Sequence, residues 1–399
     1  MQILYLGIVF CVIIALLAFR RPLYQAILGG ALVTAVLFRI PPAEIAGRAG
    51  SVLTTWSSVS VLLSLYMITF LQRILESRSQ IKLAQQDLNG IFHNRRINTA
   101  GASLFIGLLP SAASMLLCSD IVKDASDGYL DSREQAFVAS WFRHIPESTL
   151  PTYTSVLLMM NLAGVETAHF LLGMMIPVIT LFALGYVLCL RKIPTDPGTP
   201  VSTSKARDLL HLFQHLWSLV LILALILGFG FQVVASVFVA IAACIIVYHV
   251  GFGEMKTMFL SAFEKKMLSN TFLVLVLKEL IAYTGVLELL PEAMEGLPLP
   301  TYLVFALLFF VATTVSGSTG AIAMGTPLAF AALPGGMPLM VYLMCITHAA
   351  SMVSPTHVCL VVASDYFHVT LGELVRKTLP VSLAFCALMT VYYNILLIF

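Results

Sequence analysis

Residues 144–151 read His-Ile-Pro-Glu-Ser-Thr-Leu-Pro, and a second polar segment, residues 348–357, ends in Ser-Pro-Thr-His. Each segment interrupts a long apolar stretch. Proline has no N–H and clashes with the preceding turn, so each segment predicts a helix that is broken in its middle. Unpaired backbone groups are costly in hydrocarbon, so such breaks are expected inside protein or beside a cavity. These two segments decide the fold that we predict.

The composition places the chain in a membrane. Hydrophobic residues make up 59% of it and charged residues only 11%. Soluble domains carry about 25% charged residues, so an ordinary soluble enzyme is excluded, as is a disordered chain. The net charge of +2 gives no indication of a nucleic-acid partner. The seven cysteines form no CxxC pair, so we interpret them as packing residues and expect no metal.

The apolar runs predict an all-α polytopic protein. A membrane helix needs about 20 mostly apolar residues. Two apolar stretches, 99–119 and 300–333, are interrupted by Leu109-Pro110-Ser111 and by Ser316-Gly317-Ser318. We expect both to be re-entrant hairpins. The ten predicted spans are 2–19, 23–40, 51–73, 134–162, 165–190, 209–229, 231–249, 268–290, 337–364 and 378–398.

The basic residues predict the orientation. With the N-terminus outside and both hairpins returning to the side they came from, 18 of the 22 Lys and Arg residues fall in cytoplasmic loops. A full crossing at either hairpin would place the following basic loops outside, against the positive-inside rule. We therefore expect a multi-pass protein of the inner (cytoplasmic) membrane, with both termini outside.

The two halves of the chain predict an inverted repeat. Each half contains one hairpin and five spans, of which one is the broken helix, and the halves begin near residue 2 and residue 209. An odd number of spans inverts the second half, an arrangement typical of secondary transporters. The proline-rich segment 191–208 is the expected cytoplasmic linker. The stretches 74–97 and 250–267 suit interfacial amphipathic helices, with solvated loops as the alternative.

Charged residues in the first broken helix are the strongest site candidates. Arg143, His144 and Glu147 lie inside a predicted span, where charge is expensive and usually functional. Arg143 suits a two-pronged contact with a carboxylate, and a purely structural pair with Glu147 is the alternative. Glu147 is a candidate cation or proton site. His144, His348 and His357 are candidate proton carriers, or else hydrogen-bonded structural histidines.

The hairpin tips supply a second set of candidates. Hydroxyls and free carbonyls can coordinate Na⁺, and the N-termini of half-helices suit an anion. The alternative for any single serine is tight packing of the hairpin. The candidate substrate-binding hydroxyls are Ser111, Ser114, Ser316, Ser318 and Thr319.

The pattern resembles the ion-transporter superfamily of citrate–metal symporters, gluconate permeases and dicarboxylate–sodium symporters. Within it, the chain looks like the domain-of-unknown-function 401 family of integral membrane proteins. That closer resemblance is carried by Arg95-Arg96, by Gly107-Leu108-Leu109-Pro110 and by Trp141-Phe142-Arg143-His144. The tip sequence Ser316-Gly317-Ser318-Thr319 is only similar to the Ser-Asn-Thr type of sodium-coupled carriers.

The resemblance implies a homodimeric elevator. A scaffold (1–98 and 209–299) would hold the dimer, and a transport domain (99–190 and 300–399) would carry the substrate. By position it adds Thr149 and Thr356 to the substrate site. It likewise adds Ser148 and Ser354 to the coupling site, beside Glu147, His144, His348 and His357.

These observations favour a secondary active transporter for a small organic anion, driven by Na⁺ or H⁺. A carrier for a lipid or lipid-linked phosphate, or a channel, is the alternative. An intramembrane enzyme is disfavoured, because the HExxH, GxGD and GxSG motifs are missing from the sequence. We expect no cofactor apart from Na⁺ as a possible coupling ion, and the expected partners are the membrane, a small anion and a second copy of the chain.

Overall fold

The computed structural model describes residues 1–19, 21–80, 83, 94–108, 113–196, 204–294, 298–355 and 357–398. In these residues the chain forms helices joined by short segments, without a strand. The predicted all-α class is therefore confirmed. In the first half the α-helices are α1 (Gln2–Ala18), α2 (Leu23–Leu37), α3 (Pro42–Thr54), α4 (Trp56–Ser77), α5 (Arg95–Ile106), α6 (Ala113–Ser126), α7 (Ser132–His144), α8 (Thr154–Ala163), α9 (Thr167–Gly173) and α10 (Met175–Leu188).

The second half repeats this all-helical character. Short 3₁₀ turns lie at Pro146–Ser148, Leu190–Lys192 and Val286–Leu289. The α-helices of the second half are α11 (Lys205–Phe229), α12 (Val233–Val247), α13 (Phe252–Ser261), α14 (Lys265–Tyr283), α15 (Leu290–Met294), α16 (Thr301–Ala332), α17 (Met337–Ser351), α18 (Val358–Tyr366) and α19 (Leu371–Leu396).

Several helices are long and apolar enough to cross a membrane. Among the described residues there are five such segments, and they lie at Trp56–Ser77, Thr167–Leu188, Ala206–Phe229, Thr301–Ala332 and Leu371–Leu396. Shorter apolar helices of 10–17 residues, including α1, α2, α12 and α17, accompany them. The chain is thus a multi-pass membrane protein.

Two predicted span boundaries differ from the structure. The span predicted at 51–73 begins only at Trp56, because Thr55 is extended (φ −81°, ψ 123°) and separates α3 from α4. The first residues of the predicted span, 51–54, therefore belong to α3 and residues 56–73 to α4. The span predicted at 165–190 is found at Thr167–Leu188, and within it Met174 separates α9 from α10.

Helix α16 doubles back on itself at Gly317. This residue has φ 78° and ψ 166°, a conformation available essentially to glycine alone. A Cβ on Gly325 would lie 2.4 Å from the ring of Phe309. In a straight helix those two residues would be about 24 Å apart. The two arms, 301–316 and 318–332, therefore pack against each other as a helical hairpin.

Helices α5 and α6 form a comparable pair in the first half. Cys118 Sγ donates a hydrogen bond of 3.2 Å to Ser103 Oγ across the two arms. The predicted tip of this hairpin, residues 109–112, lies outside the described residues. That each hairpin enters and leaves the membrane on one side stays a prediction.

The helices pack in two groups, each of which draws on both halves of the chain. In one group α2 packs on α14 and α4 packs on α12. In the other group α8 packs on α16, α9 on α17, and α7 on α19. The groups meet where α1 contacts α16 and where α4 contacts α8. The division into a scaffold and a moving domain remains a prediction.

The amphipathic stretch 250–267 contains a helix, α13, that lies against α4. Arg78 makes a two-pronged contact with Glu254, with N–O distances of 2.6 and 2.9 Å. This hydrogen bonding from Arg78 lowers the pKa of the Glu254 carboxyl. Tyr66 also donates a hydrogen bond of 2.7 Å to the carbonyl of Phe259. In the other stretch, 74–97, residues 81, 82 and 84–93 lie outside the described part of the chain.

Candidate functional site

The first helix break forms where its prolines require it. Asp131 caps the N-terminus of α7 by accepting a hydrogen bond from the Glu134 N–H. At the other end, Pro146 has no N–H to continue the helix, and a 3₁₀ turn follows over Pro146–Ser148. Helix α8 begins only at Thr154. The predicted broken helix is thus present, and it presents the last turn of α7 to the protein interior.

Arg143 lies in that last turn and is buried, with 1% of its surface exposed. Its Nη1 atom lies 3.7 Å from Glu147 Oε2, so the pair predicted from the sequence is present. The same nitrogen donates a hydrogen bond of 3.2 Å to His144 Nε2. The Glu147 side chain is 26% exposed, so the pair reaches from the buried interior towards an accessible surface.

His144 and His357 form a contact between the two helix breaks. Nδ1 of His144 lies 2.5 Å from the carbonyl oxygen of Ser140, which can only accept, so this nitrogen carries the proton. Nε2 of neutral His144 is then the acceptor. His357 lies just before α18, and its Nε2 donates to His144 Nε2 over 2.8 Å. Cys359 lies close by, with the three potential ligand atoms within 4.8 Å of one another.

His348 does not join this cluster. It lies in the last turn of α17, and its ring packs between Trp141 and Phe385, with centroid distances of 6.4 and 6.2 Å. Its buried Nε2 atom has no hydrogen-bond partner among the residues that the structure describes. Both of its predicted roles, proton carrier and hydrogen-bonded structural histidine, stay predictions.

The hydroxyl candidates in the breaks mostly bond to nearby backbone. Ser148 and Thr149 both donate to the carbonyl of Ile145, over 3.1 and 3.0 Å. Ser354 donates over 2.9 Å to the carbonyl of Thr314, and so fastens the second break to the first arm of α16. Each hydroxyl oxygen keeps lone pairs that can accept a hydrogen bond or coordinate a cation.

Only some of the hydroxyl residues predicted at the hairpin tips lie in the described part of the chain. Ser316 donates over 2.7 Å to the carbonyl of Ala312. Ser318 and Thr319 are half-buried beside Gly317, and within the described chain their side chains make no hydrogen bond. Two other predicted residues, Ser111 and Thr356, lie outside the described residues, and so does the side chain of Ser114.

Three residues of the site were not among the candidates. Tyr153 donates a hydrogen bond to the carbonyl of Gly107 and so ties the first hairpin to the first break. A Cβ on Gly107 would lie 2.2 Å from the carbonyl oxygen of Arg143, so only glycine fits there. Cys359 was interpreted as a packing residue. Its position, two residues after His357, is the one signal in the sequence that connects it to the site.

The comparisons with known proteins agree with a transporter fold. No match was found among curated proteins. Among solved structures, the chain is similar to the Alcanivorax borkumensis YdaH transporter, whose crystal structure is described as revealing an unusual topology. The TM-score is 0.58 at 12% sequence identity, and the match covers 87% of each chain. At this identity the likeness shows the fold alone.

The family comparison covers nearly the whole chain. Residues 5–396 match a family described as "Protein of unknown function (DUF401)". The matched range includes both helix breaks, both hairpins and every candidate residue named above. The closer of the two resemblances noted in the sequence is therefore confirmed, and this protein belongs to the DUF401 family.

Proposed function

We propose that this protein is a secondary active transporter that moves a small organic anion, such as a carboxylate, across the cytoplasmic membrane. The observation that carries the proposal is the buried guanidinium of Arg143 at a helix break inside a multi-pass membrane protein. A buried charge is expensive in such a place and is usually retained for function. An Arg fork matches the two oxygens of a carboxylate.

The surroundings of Arg143 supply groups for coupling. Glu147, His144 and His357 form a chain of titratable side chains from a partly exposed carboxylate to the second helix break. Such a chain suits proton transfer. The alternative coupling ion is Na⁺, for which Ser148, Ser354 and the freed carbonyls of the breaks are the candidate ligands. We propose that one of these two gradients drives transport.

The mechanism that we propose is an elevator in a homodimer. The group formed by α5–α10 with α16–α19 holds both breaks and would move as a unit. The group formed by α1–α4 with α11–α14 would remain fixed and hold the dimer. The fold shared with a transporter supports this proposal. The proposed topology keeps both termini outside.

Uptake into proteoliposomes tests the role of Arg143. The assay uses radiolabelled mono- and dicarboxylates, with an imposed Na⁺ or H⁺ gradient. A charged hydrogen bond contributes about 1.5–3 kcal/mol, so Arg143→Ala should weaken apparent affinity roughly 10- to 150-fold. Arg143→Lys keeps the charge but loses the fork, so an intermediate loss is expected.

Arg133→Ala is the matched control. Arg133 lies at the start of the same helix, and its side chain is 54% exposed. This variant should transport like the wild type. Unchanged anion affinity in folded Arg143→Ala protein would refute the proposed contact.

A lipid carrier is the second candidate, favoured by an apolar groove. The groove lies between α1 and the α16 hairpin, holds about 270 Å³ and reaches the hairpin tip at Ser316. Phe10, Ile14 and Val315 are among its lining residues. If no soluble anion is taken up while a fluorescent lipid is moved between leaflets, this second candidate replaces the first.

A further inference from the structure

Three side chains with metal-binding atoms converge at the contact between the two helix breaks. They are His144 from the first half and His357 and Cys359 from the second, with ligand atoms all within 4.8 Å of one another. Among the described residues this is the one such group of histidine, cysteine or acidic side chains. Imidazole nitrogen, and cysteine sulfur once its thiol is deprotonated, are ligands that zinc prefers.

The spacing is close to that of a tetrahedral centre. Zn–N distances of about 2.0–2.1 Å place two ligand nitrogens roughly 3.3 Å apart. The two histidine Nε2 atoms lie 2.8 Å apart, so they would separate by about half an ångström. Glu147 Oε2 lies 3.6 Å from His144 Nε2 but outside the group of atoms that lie within 4.8 Å of one another. It would supply a fourth ligand, from the partly exposed side, once its side chain turns towards His357 and Cys359.

The orientation of His144 is already that of a metal ligand. Its Nδ1–H is held by the carbonyl of Ser140, which leaves the Nε2 lone pair facing His357. Metal-binding histidines usually donate the opposite ring N–H to a carbonyl or carboxylate in this way. On binding, His357 would move its proton from Nε2 to Nδ1, and Cys359 would release its thiol proton to solvent.

We propose that His144, His357 and Cys359, with Glu147 as the fourth ligand, bind one divalent transition-metal ion of the zinc class. The ion links the two halves of the chain at their helix breaks. This site goes beyond the proposed anion contact. Because it uses Glu147, His144 and His357, a bound ion would take the place of the proposed proton chain and leave Na⁺ as the coupling ion. The site also departs from the sequence-based expectation that the cysteines have packing roles only.

Arg143 opposes this ion. Its Nη1 lies 3.2 Å from the His144 nitrogen that would bind the metal. A guanidinium so close to a ligand nitrogen would repel a divalent ion bound to that nitrogen, because both carry positive charge. Removal of the guanidinium charge should therefore strengthen metal binding, whereas it should weaken anion binding.

Titration of purified, chelator-treated protein with Co²⁺ tests the site. Cobalt replaces zinc and gives a thiolate charge-transfer absorption when a cysteine binds it. We expect this band at one Co²⁺ per chain, and we expect Zn²⁺ to abolish it. The band should disappear in Cys359→Ser and in His357→Gln. It should persist in Cys386→Ser, a matched control because Cys386 is half-buried like Cys359.

The outcomes separate this site from the transport proposal. If folded wild-type protein gives no thiolate band with Co²⁺, the metal site is overturned. This test needs no variant, so it holds even where a variant fails to fold. A band that survives Cys359→Ser overturns the metal site as well. In Arg143→Gln, Co²⁺ affinity should rise at least about tenfold. A rise in metal affinity with normal anion uptake would support the metal site and refute the proposed anion contact. Unchanged metal affinity with weakened anion uptake would refute the metal site and support the proposed anion contact.

Discussion

Replacement of Gly317 with alanine tests the bend that makes α16 a hairpin. Gly317 has φ 78° and ψ 166°, and residues with a Cβ rarely adopt this combination. A Cβ built at this position meets no atom within 4 Å. The substitution therefore changes the backbone energy alone, without a steric clash. The expected loss of stability is therefore the cost of this backbone conformation for a residue that carries a Cβ.

The expected loss is about 1–3 kcal/mol of folding free energy, the range for a residue held in a sparsely populated backbone conformation. In a chain of 399 residues that loss should lower the melting temperature by roughly 1–4 °C. The measurement is an apparent melting temperature in detergent, at a fixed scan rate because unfolding of large proteins is often irreversible. Gly317→Asn should be as damaging, since asparagine tolerates the left-handed helical region but not this one.

Gly228→Ala is the control for this experiment. Gly228 lies inside α11, and a Cβ there also meets nothing within 4 Å. In a helix, alanine is favoured over glycine by about 0.5–1 kcal/mol, so this variant should be unchanged or slightly more stable. If Gly317→Ala melts at the temperature of Gly228→Ala, the backbone at Gly317 is not bent as described, and the hairpin is refuted.

Three further predictions concern separate contacts. Gly107→Ala places a Cβ 2.2 Å from a backbone oxygen in the last turn of α7, so a sharply lower melting temperature is expected; wild-type stability would contradict that close approach. Phe309→Cys with Gly325→Cys should cross-link within one chain by a short bis-thiol reagent, as the hairpin requires, whereas a straight α16 would give no intrachain product. Arg78 lowers the pKa of Glu254, so the contribution of this contact to stability is present above the normal carboxyl pKa and is lost as pH falls through the lowered one. The protection of the α13 amides, corrected for the intrinsic pH dependence of exchange, should therefore fall below about pH 4. Glu254→Gln should show the lower protection already at pH 7, with little further change on acidification.

The predictable part of the fold rests on local chemistry. Pro146 and Pro151 mark a break because a missing N–H acts within its own turn, and α7 and α8 lie on either side of it as expected. The bend at Gly317 could be placed because a glycine between serines interrupts an apolar run. The span predicted at 51–73 was misplaced because hydrophobicity does not distinguish two consecutive helices from one.

Contacts between site residues could be predicted from the sequence only where the residues are close along the chain. Arg143 and Glu147 are four residues apart, and their contact follows from helical spacing. His144 and His357 are 213 residues apart, and nothing in either segment specifies that their Nε2 atoms meet. His348 was an equal candidate, yet it packs between Trp141 and Phe385.

The sequence by itself determined that the chain is an all-helical membrane protein, where its helices break and which charged residues lie at a break. These properties depend on hydrophobicity, proline and glycine, whose effects are local. Only the tertiary structure decided that Cys359 and His357 lie against His144, that Tyr153 reaches Gly107, and that Ser354 fastens to α16. Those contacts depend on how distant helices pack, because residues far apart in the chain meet only when the surfaces between them fit.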